Sequence, residues 1–336
     1  MSARRVWIVG AGRRVRETAL PALRSLRGTL EVAGVLARTA RELEAAGARW
    51  AVRALEAAQP SDFADGDVLY VAVGKDAMPE VLARLASLDR PRLELLVDTP
   101  VLKLKHLRCA PLLAGWLRAS VAEDVAYLPW YEAARAASGP VRAITFDRSA
   151  YAYHGFAAAK ALSGARRVLR VRRARTADGA RREIELEGGV RVTVLEPRDY
   201  ARGRVLVAGE RVLVADRFEA GETGLRLEVL LERGRCVGFR AGECTTRLDE
   251  AEIALQGADL PDASVTARMD SMKRIAFRRL AAGVAAGRGG YPLEDGLEDS
   301  AVEGFVERFG RWRAGGPCDV RRPLVRAFWS ALGRLA

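Results

Sequence analysis

The stretch Val6-Trp7-Ile8-Val9-Gly10-Ala11-Gly12 decides the fold, with Arg13-Arg14 and then Leu20, Leu23 and Leu26 at helical spacing behind it. Four apolar residues running into Gly-x-Gly read as a buried parallel strand and a tight turn. Glycine at such a turn lets the backbone approach a pyrophosphate closely. A helix expected over residues 17–26 would aim its first N–H groups and positive dipole end at that anion. Val15 stands where the third glycine of the full dinucleotide fingerprint falls, so a plain strand–helix turn is the competing reading.

Working outward, strand and helix alternate over the first 120 or so residues. Residues 31–37 read as a second strand. Residues 41–59, rich in Ala and Glu, read as mostly helical. Val68-Leu69-Tyr70-Val71-Ala72-Val73 is a near-continuous apolar strand, as a parallel sheet covered on both faces requires. A helix over 80–88 and a strand over 93–97 follow, the latter ending at Asp98-Thr99-Pro100. This βαβ rhythm predicts an N-terminal doubly wound Rossmann domain over residues 1–121. Beyond it the pattern changes. Helices are expected at 130–138 and 156–162. Strands are expected at 141–146, 168–172, 182–186, 190–195, 204–207, 212–214, 225–231 and 237–240. Gly-rich turns such as Glu187-Gly188-Gly189 separate them. Residues 122–336 therefore read as an α+β domain with a large open, mostly antiparallel sheet, closing with helices at 272–286 and 297–313.

Composition limits the function classes. Hydrophobic residues are 49% and charged residues 29%, as in a globular chain that buries a core. No apolar run reaches the roughly 18 residues of a membrane span, and a core strand stands where a signal peptide would. Cys109, Cys236, Cys244 and Cys318 have neither metal nor disulfide spacing, which fits reduced thiols in a cytoplasmic protein. The formal charge of +12 suggests nucleic acid, but the chain has five lysines among 55 basic residues and no asparagine. That bias is the mark of a GC-rich genome. The densest run, Arg166 to Arg173, alternates like a strand with one solvated face and carries no interleaved aromatics for stacking bases. No nucleic-acid or membrane partner is expected.

The end of the second strand speaks to the cofactor. An acidic residue there grips the ribose 2′-hydroxyl of NAD. Here Arg38-Thr39 follows Val35-Leu36-Ala37, and arginine suits the 2′-phosphate of NADP. Arg13 and Arg14 add positive charge beside the turn. NADP is favoured, with NAD possible.

In the order and spacing of its motifs the chain resembles the glucose–fructose oxidoreductase/inositol dehydrogenase (Gfo/Idh/MocA) family over nearly its full length. The motifs are the Val9-Gly10-Ala11-Gly12 turn, the Val68–Val73 strand with its Val73-Gly74 loop and the Pro-containing turn at 97–100. Ala122-Glu123-Asp124, a strand–His–helix unit around His154 and Tyr291-Pro292-Leu293-Glu294-Asp295-Gly296-Leu297 complete the set. The resemblance implies an NAD(P)-dependent oxidoreductase acting on a C=O or C=N centre. It also implies a homodimer or homotetramer paired through the C-terminal sheet. Cofactor contacts are then expected from Gly10, Ala11, Gly12, Arg13, Arg14, Arg38, Thr39, Val73, Gly74, Asp98, Thr99 and Glu123.

The departures matter as much as the matches. Where the family keeps the lysine of Glu-Lys-Pro, this chain has Thr99. Ala150, Ala152 and Ala157 replace the Asp, Gly and second Asp around the retained His154, and Met78 stands where a histidine is common. His154 is the leading candidate acid, since imidazole suits proton donation near neutral pH. Tyr151 and Tyr153 are alternative donors, and Thr99 offers a hydroxyl in the cleft. Lys160, Lys103 and Lys105 read as surface residues, and His106 is given no role. A missing lysine favours an imine or another unusual substrate in a specialised biosynthetic pathway, because an iminium is already electrophilic. The competing functions are a catalytically altered nucleotide-binding partner or sensor, and a lyase or hydrolase that cycles hydride through bound NAD.

Overall fold

The computed structural model describes residues 3–88, 90–150, 152–256, 264–316 and 319–322. It has two compact units. One comprises Met1–Glu123 with Phe277–Ala301 and Val320–Ala336, of which 320–322 are described; the other comprises Asp124–Ala276 with Val302–Asp319. The first break thus falls two residues past the expected 121/122 boundary. The expectation of a single C-terminal domain over 122–336 is also corrected, since 277–301 pack with the first unit.

The first unit is built on a mixed sheet. Its strands are β1 (Arg4–Val9), β2 (Leu30–Ala37), β3 (Arg41–Ala45), β4 (Ala48–Ala54), β5 (Val68–Val71), β6 (Glu94–Asp98) and β7 (Arg118–Ala122). Their order is β7-β6-β5-β1-β2-β4-β3, with the short strand Tyr291–Pro292 on the outer edge of β7. The pairs β1–β2, β1–β5, β5–β6 and β6–β7 are all parallel. Their carboxyl ends therefore share one edge, and the strand order reverses between β1 and β5. The burial pattern explains the choice of a parallel sheet: every residue of β5 is buried, as are Val6 to Val9 of β1.

Two features of this unit differ from expectation. Residues 41–59 are not mostly helical; 41–54 form the β3–β4 hairpin. Ala46 and Gly47 both adopt positive φ (52° and 69°), the backbone that a two-residue hairpin turn demands. Alternation of exposed Glu42 and Glu44 about buried Leu43 then outweighs the helix propensity of Ala and Glu. The helix after the glycine turn starts earlier than residue 17. Residues 13–24 are helical, with a π turn at Val15–Ala19 leading into α1 (Leu20–Arg24). Leu20 N–H donates to Val15 O, five residues back. Pro21 has no N–H and its ring would press on the carbonyl four residues earlier, so the wider turn just before it relieves a clash.

In the first unit α2 (Met78–Ala86) lies between β5 and β6 in the chain; in the second unit α3 (Trp130–Ser138) and α4 (Ala152–Ser163) accompany a ten-stranded sheet. The sheet includes β8 (Val141–Asp147), β9 (Val168–Thr176), β10 (Gly179–Leu186), β11 (Arg191–Glu196), β12 (Arg204–Gly209) and β13 (Leu213–Ala215). It continues through β14 (Leu225–Glu232), β15 (Arg235–Ala241) and β16 (Cys244–Arg247), with Arg311–Arg313 against β9. Pairing is mostly antiparallel, but β8–β11 and β13–β14 are parallel. One face carries the core, where Trp130, Phe156, Phe146, Ile184, Val192 and Phe239 pack together. The other face is polar over β9–β11: Glu183 faces Arg172, and Glu185 faces Arg170 and Arg191. The arginine-rich run thus forms the strand with one solvated face that its alternation predicts.

One arginine of β10 faces the core side. Arg182 is buried and pairs with Glu303, with Glu307 and, at 3.3 Å, with Glu196. Burial outweighs the pull of Arg182 and lifts the Glu303 carboxyl from its ordinary 4.5 to about 7. A carboxyl raised by folding binds more protons in the native state. Its stabilising contribution is therefore complete below about pH 4.5 and lost as pH rises through about 7. The wild type should lose melting temperature relative to Glu303→Gln between pH 5 and 8 (roughly, the span of the shifted titration). Parallel melting curves for the two proteins across that range would contradict this assignment.

Candidate functional site

The shared carboxyl edge of the first unit gathers most of the expected cofactor residues. At the end of β1, Gly10 has φ +125°, and a Cβ there would lie 2.2 Å from the carbonyl oxygen of Ala72. Gly10 N–H donates to Leu36 O at 2.7 Å and Ala72 N–H donates to Val9 O at 2.8 Å, so the ends of β1, β2 and β5 are tied together at this residue. Only glycine fits so close a backbone approach. Gly12 is different. Nothing lies within 4 Å of where its Cβ would be, and the same holds for Gly74 on the loop after β5. The turn therefore has a tight inner glycine that closes the sheet and an outer one that leaves room for a ligand.

Charge is arranged around this opening. Arg13 is exposed and pairs with Glu17 at 2.8 Å. Arg14 turns the other way; its Nε lies 3.4 Å from an Asp98 oxygen at the end of β6, and its guanidinium lies 5.3 Å from the Phe277 ring centre. Arg38 and Thr39 are exposed just past the end of β2. Arg41 donates from Nη2 to Ala11 O at 3.0 Å, which places a third guanidinium against the glycine turn. The expectation of a helix over 41–59 hid this residue, since only the hairpin returns it to the turn. Glu123 is buried directly after β7. Val15, at the third fingerprint position, is fully buried and acts as core.

A second group was missed by sequence reasoning. Lys75 follows Gly74 on the loop after β5 and is half-buried. Its Nζ donates to the backbone carbonyl of Thr99. Burial lowers its pKa from the ordinary lysine value; Asp98 and Glu123 oppose that shift and Arg14 reinforces it. The available signal was a lysine placed immediately after a buried parallel strand, in a chain with only five lysines. Lys103 and Lys105 both pair with exposed Asp76, at 2.6 and 3.0 Å.

The candidate proton donors His154 and Tyr153 belong to the second unit. His154 does not precede its helix but lies in the first turn of α4, with its ring 4.2 Å from that of Tyr153. Just before them, Ala152 adopts φ 50° and its N–H donates to Glu196 at 3.3 Å, which holds the helix start in place. Tyr151 lies outside the described residues. Lys160, two turns on, is buried within α4 rather than solvated. It sits among Ala157, Ala158, Ala159 and Leu162, all of them buried.

No family model matches the sequence, and no curated protein matches it significantly. Solved structures match over almost the whole chain. An oxidoreductase from Thermotoga maritima is 15% identical with a TM-score of 0.59, covering 93% of this chain and 98% of that one. A levoglucosan dehydrogenase in complex with NADH and L-sorbose is 13% identical with a TM-score of 0.60, covering 93% and 99%. An inositol dehydrogenase homologue from Azotobacter vinelandii in complex with NAD+ is 16% identical with a TM-score of 0.53, covering 93% and 97%. At these identities the likeness is one of fold, and it is the fold that the resemblance in sequence implies.

The two glycines should respond differently to substitution. Gly10→Ala should destabilise the protein by at least about 2 kcal/mol, because it combines a backbone clash with an unfavourable φ. Gly12→Val should leave the melting temperature within a few tenths of a degree to about 2 °C, yet abolish nucleotide binding measured by fluorescence titration. Equal effects of the two substitutions on both readouts would refute the division of labour.

Proposed function

We propose that this chain is an NADP-dependent reductase that transfers hydride to a small C=N or C=O substrate, serving a specialised biosynthetic pathway. The observation that carries the reading is the open space beyond Gly12 on a parallel carboxyl edge flanked by Arg38, Thr39 and Arg41. A pyrophosphate would lie over Gly10-Ala11-Gly12, and Arg38 with Thr39 would take a 2′-phosphate. Val73, Gly74, Asp98, Thr99 and Glu123 are assigned to the nicotinamide side, because they follow β5, β6 and β7 on the same edge. The bound nicotinamide would supply the hydride. The fold neighbours, among them proteins in complex with NADH or NAD+, support a nicotinamide cofactor. The arginine at the end of β2 supports NADP over NAD. His154 and Tyr153 are the second unit's candidate proton donors. We further propose that copies of the chain pair through the outward face of β9–β11, where arginine and glutamate alternate; a sedimentation mass of a single 36.5 kDa chain at micromolar concentration would count against it.

The decisive experiment follows absorbance at 340 nm with NADPH and a panel of cyclic imines and small ketones. Turnover of at least one compound is expected. Arg38→Ala should weaken NADPH by about tenfold while leaving NADH nearly unchanged. Binding of NADPH without turnover of any compound would favour the nucleotide-binding partner or sensor instead. Equal affinity for NADH and NADPH would remove the NADP assignment.

A further inference from the structure

The strand ends of the first unit hold a cation that the cofactor assignment leaves unused. Lys75 lies on the loop after β5, beside the end of β6, with its Nζ bonded to the Thr99 carbonyl. It is half-buried, whereas Lys103 and Lys105 nearby are tied to the exposed carboxylate of Asp76. Of the two carboxylates that act on it at this edge, Asp98 and Glu123, the first is engaged by Arg14. An ammonium has three donors, and Thr99 takes one. In open parallel sheets ligands sit outside the carboxyl ends of the strands, beside the point where strand order reverses. Here that point is between β1 and β5, and the loop after β5 carries Lys75.

We infer that the Lys75 ammonium, rather than His154 or Tyr153, is the group that meets the substrate's carbonyl oxygen or imine nitrogen and protonates it. The inference rests on the reductase reading above. As hydride reaches carbon, the C=O or C=N π bond breaks and its electron pair moves onto the heteroatom. The Nζ–H bond breaks and an O–H or N–H bond forms. The neutral amine then regains its proton from water. The Thr99 carbonyl orients the ammonium, and the Asp98 and Glu123 charges keep it protonated against the effects of burial and Arg14. A lysine tuned downward toward neutral pH gives up its proton more readily than a solvated one.

Reductive methylation with 13C-formaldehyde gives each of the five lysines an NMR signal, and Lys75→Arg assigns the one of interest. The Lys75 signal should titrate below those of the lysines tied to exposed Asp76 and should shift on addition of NADP+. A Lys75 signal that titrates with those, or is unmoved by NADP+ while tryptophan fluorescence shows the nucleotide bound, overturns the inference and leaves the reductase reading standing. Failure of NADP+ to bind at all overturns both. On the compound reduced in the NADPH panel, Lys75→Met should lower kcat about 100-fold or more while NADPH affinity stays within about threefold. An undiminished kcat refutes the role.

Discussion

The structure of the first unit depends on the approach of the β1 and β5 strand ends at Gly10. The backbone of Gly10 sits against the Ala72 carbonyl so closely that no side chain fits between them. Two hydrogen bonds, to Leu36 and from Ala72 to Val9, pull three strand ends together. Given that contact, everything that follows a parallel strand emerges at one edge: Gly12 after β1, Arg38 after β2, Gly74 and Lys75 after β5, Thr99 after β6 and Glu123 after β7. Residues as far apart in sequence as Gly12 and Glu123 come to one edge because parallel strands all point the same way.

The electrostatics of this edge follow from which charges are paired. Arg13 is paired with Glu17, and Arg14 is spent partly on Asp98. Arg41 approaches the turn by donating to Ala11 O. Arg38 is exposed at the second strand's end. An anion arriving at the turn would meet guanidinium groups on one side and open space beyond Gly12 on the other. On the far side, the pKa of Lys75 is lowered by burial and its Nζ is held by a backbone carbonyl, which sets it apart from the arginines around the glycine turn. The second unit shows a related economy of charge. Its buried Arg182 guanidinium is met by three glutamates, one of which burial holds partly protonated near neutrality.

Much of this was legible in the sequence, for reasons that can be stated. The strand–glycine–helix opening, the apolar Val68–Val73 run and the α3 helix at 130–138 carry strong local signals, because burial on both faces or on one helical stripe leaves a plain periodicity. The β3–β4 hairpin was not read correctly, because Ala and Glu are good helix formers. The deciding fact there is two consecutive positive φ angles at Ala46 and Gly47. That error also concealed Arg41. Lys75 was overlooked for a different reason: its significance comes from the neighbouring strand, whose Thr99 carbonyl it meets, and nothing in residues 70–80 alone announces that contact. Lys160 reads as a surface lysine because six residues along a helix turn it away from His154, yet it is buried together with Ala157, Ala158, Ala159 and Leu162.

Hydrogen–deuterium exchange with and without NADP+ tests the central claim most directly. The account predicts that nucleotide protects backbone amides at residues 10–14, 38–41, 72–75 and 98–99 together, because they lie on one edge of one sheet. Protection confined to the second unit, or none at any of these segments under saturating nucleotide, would contradict it.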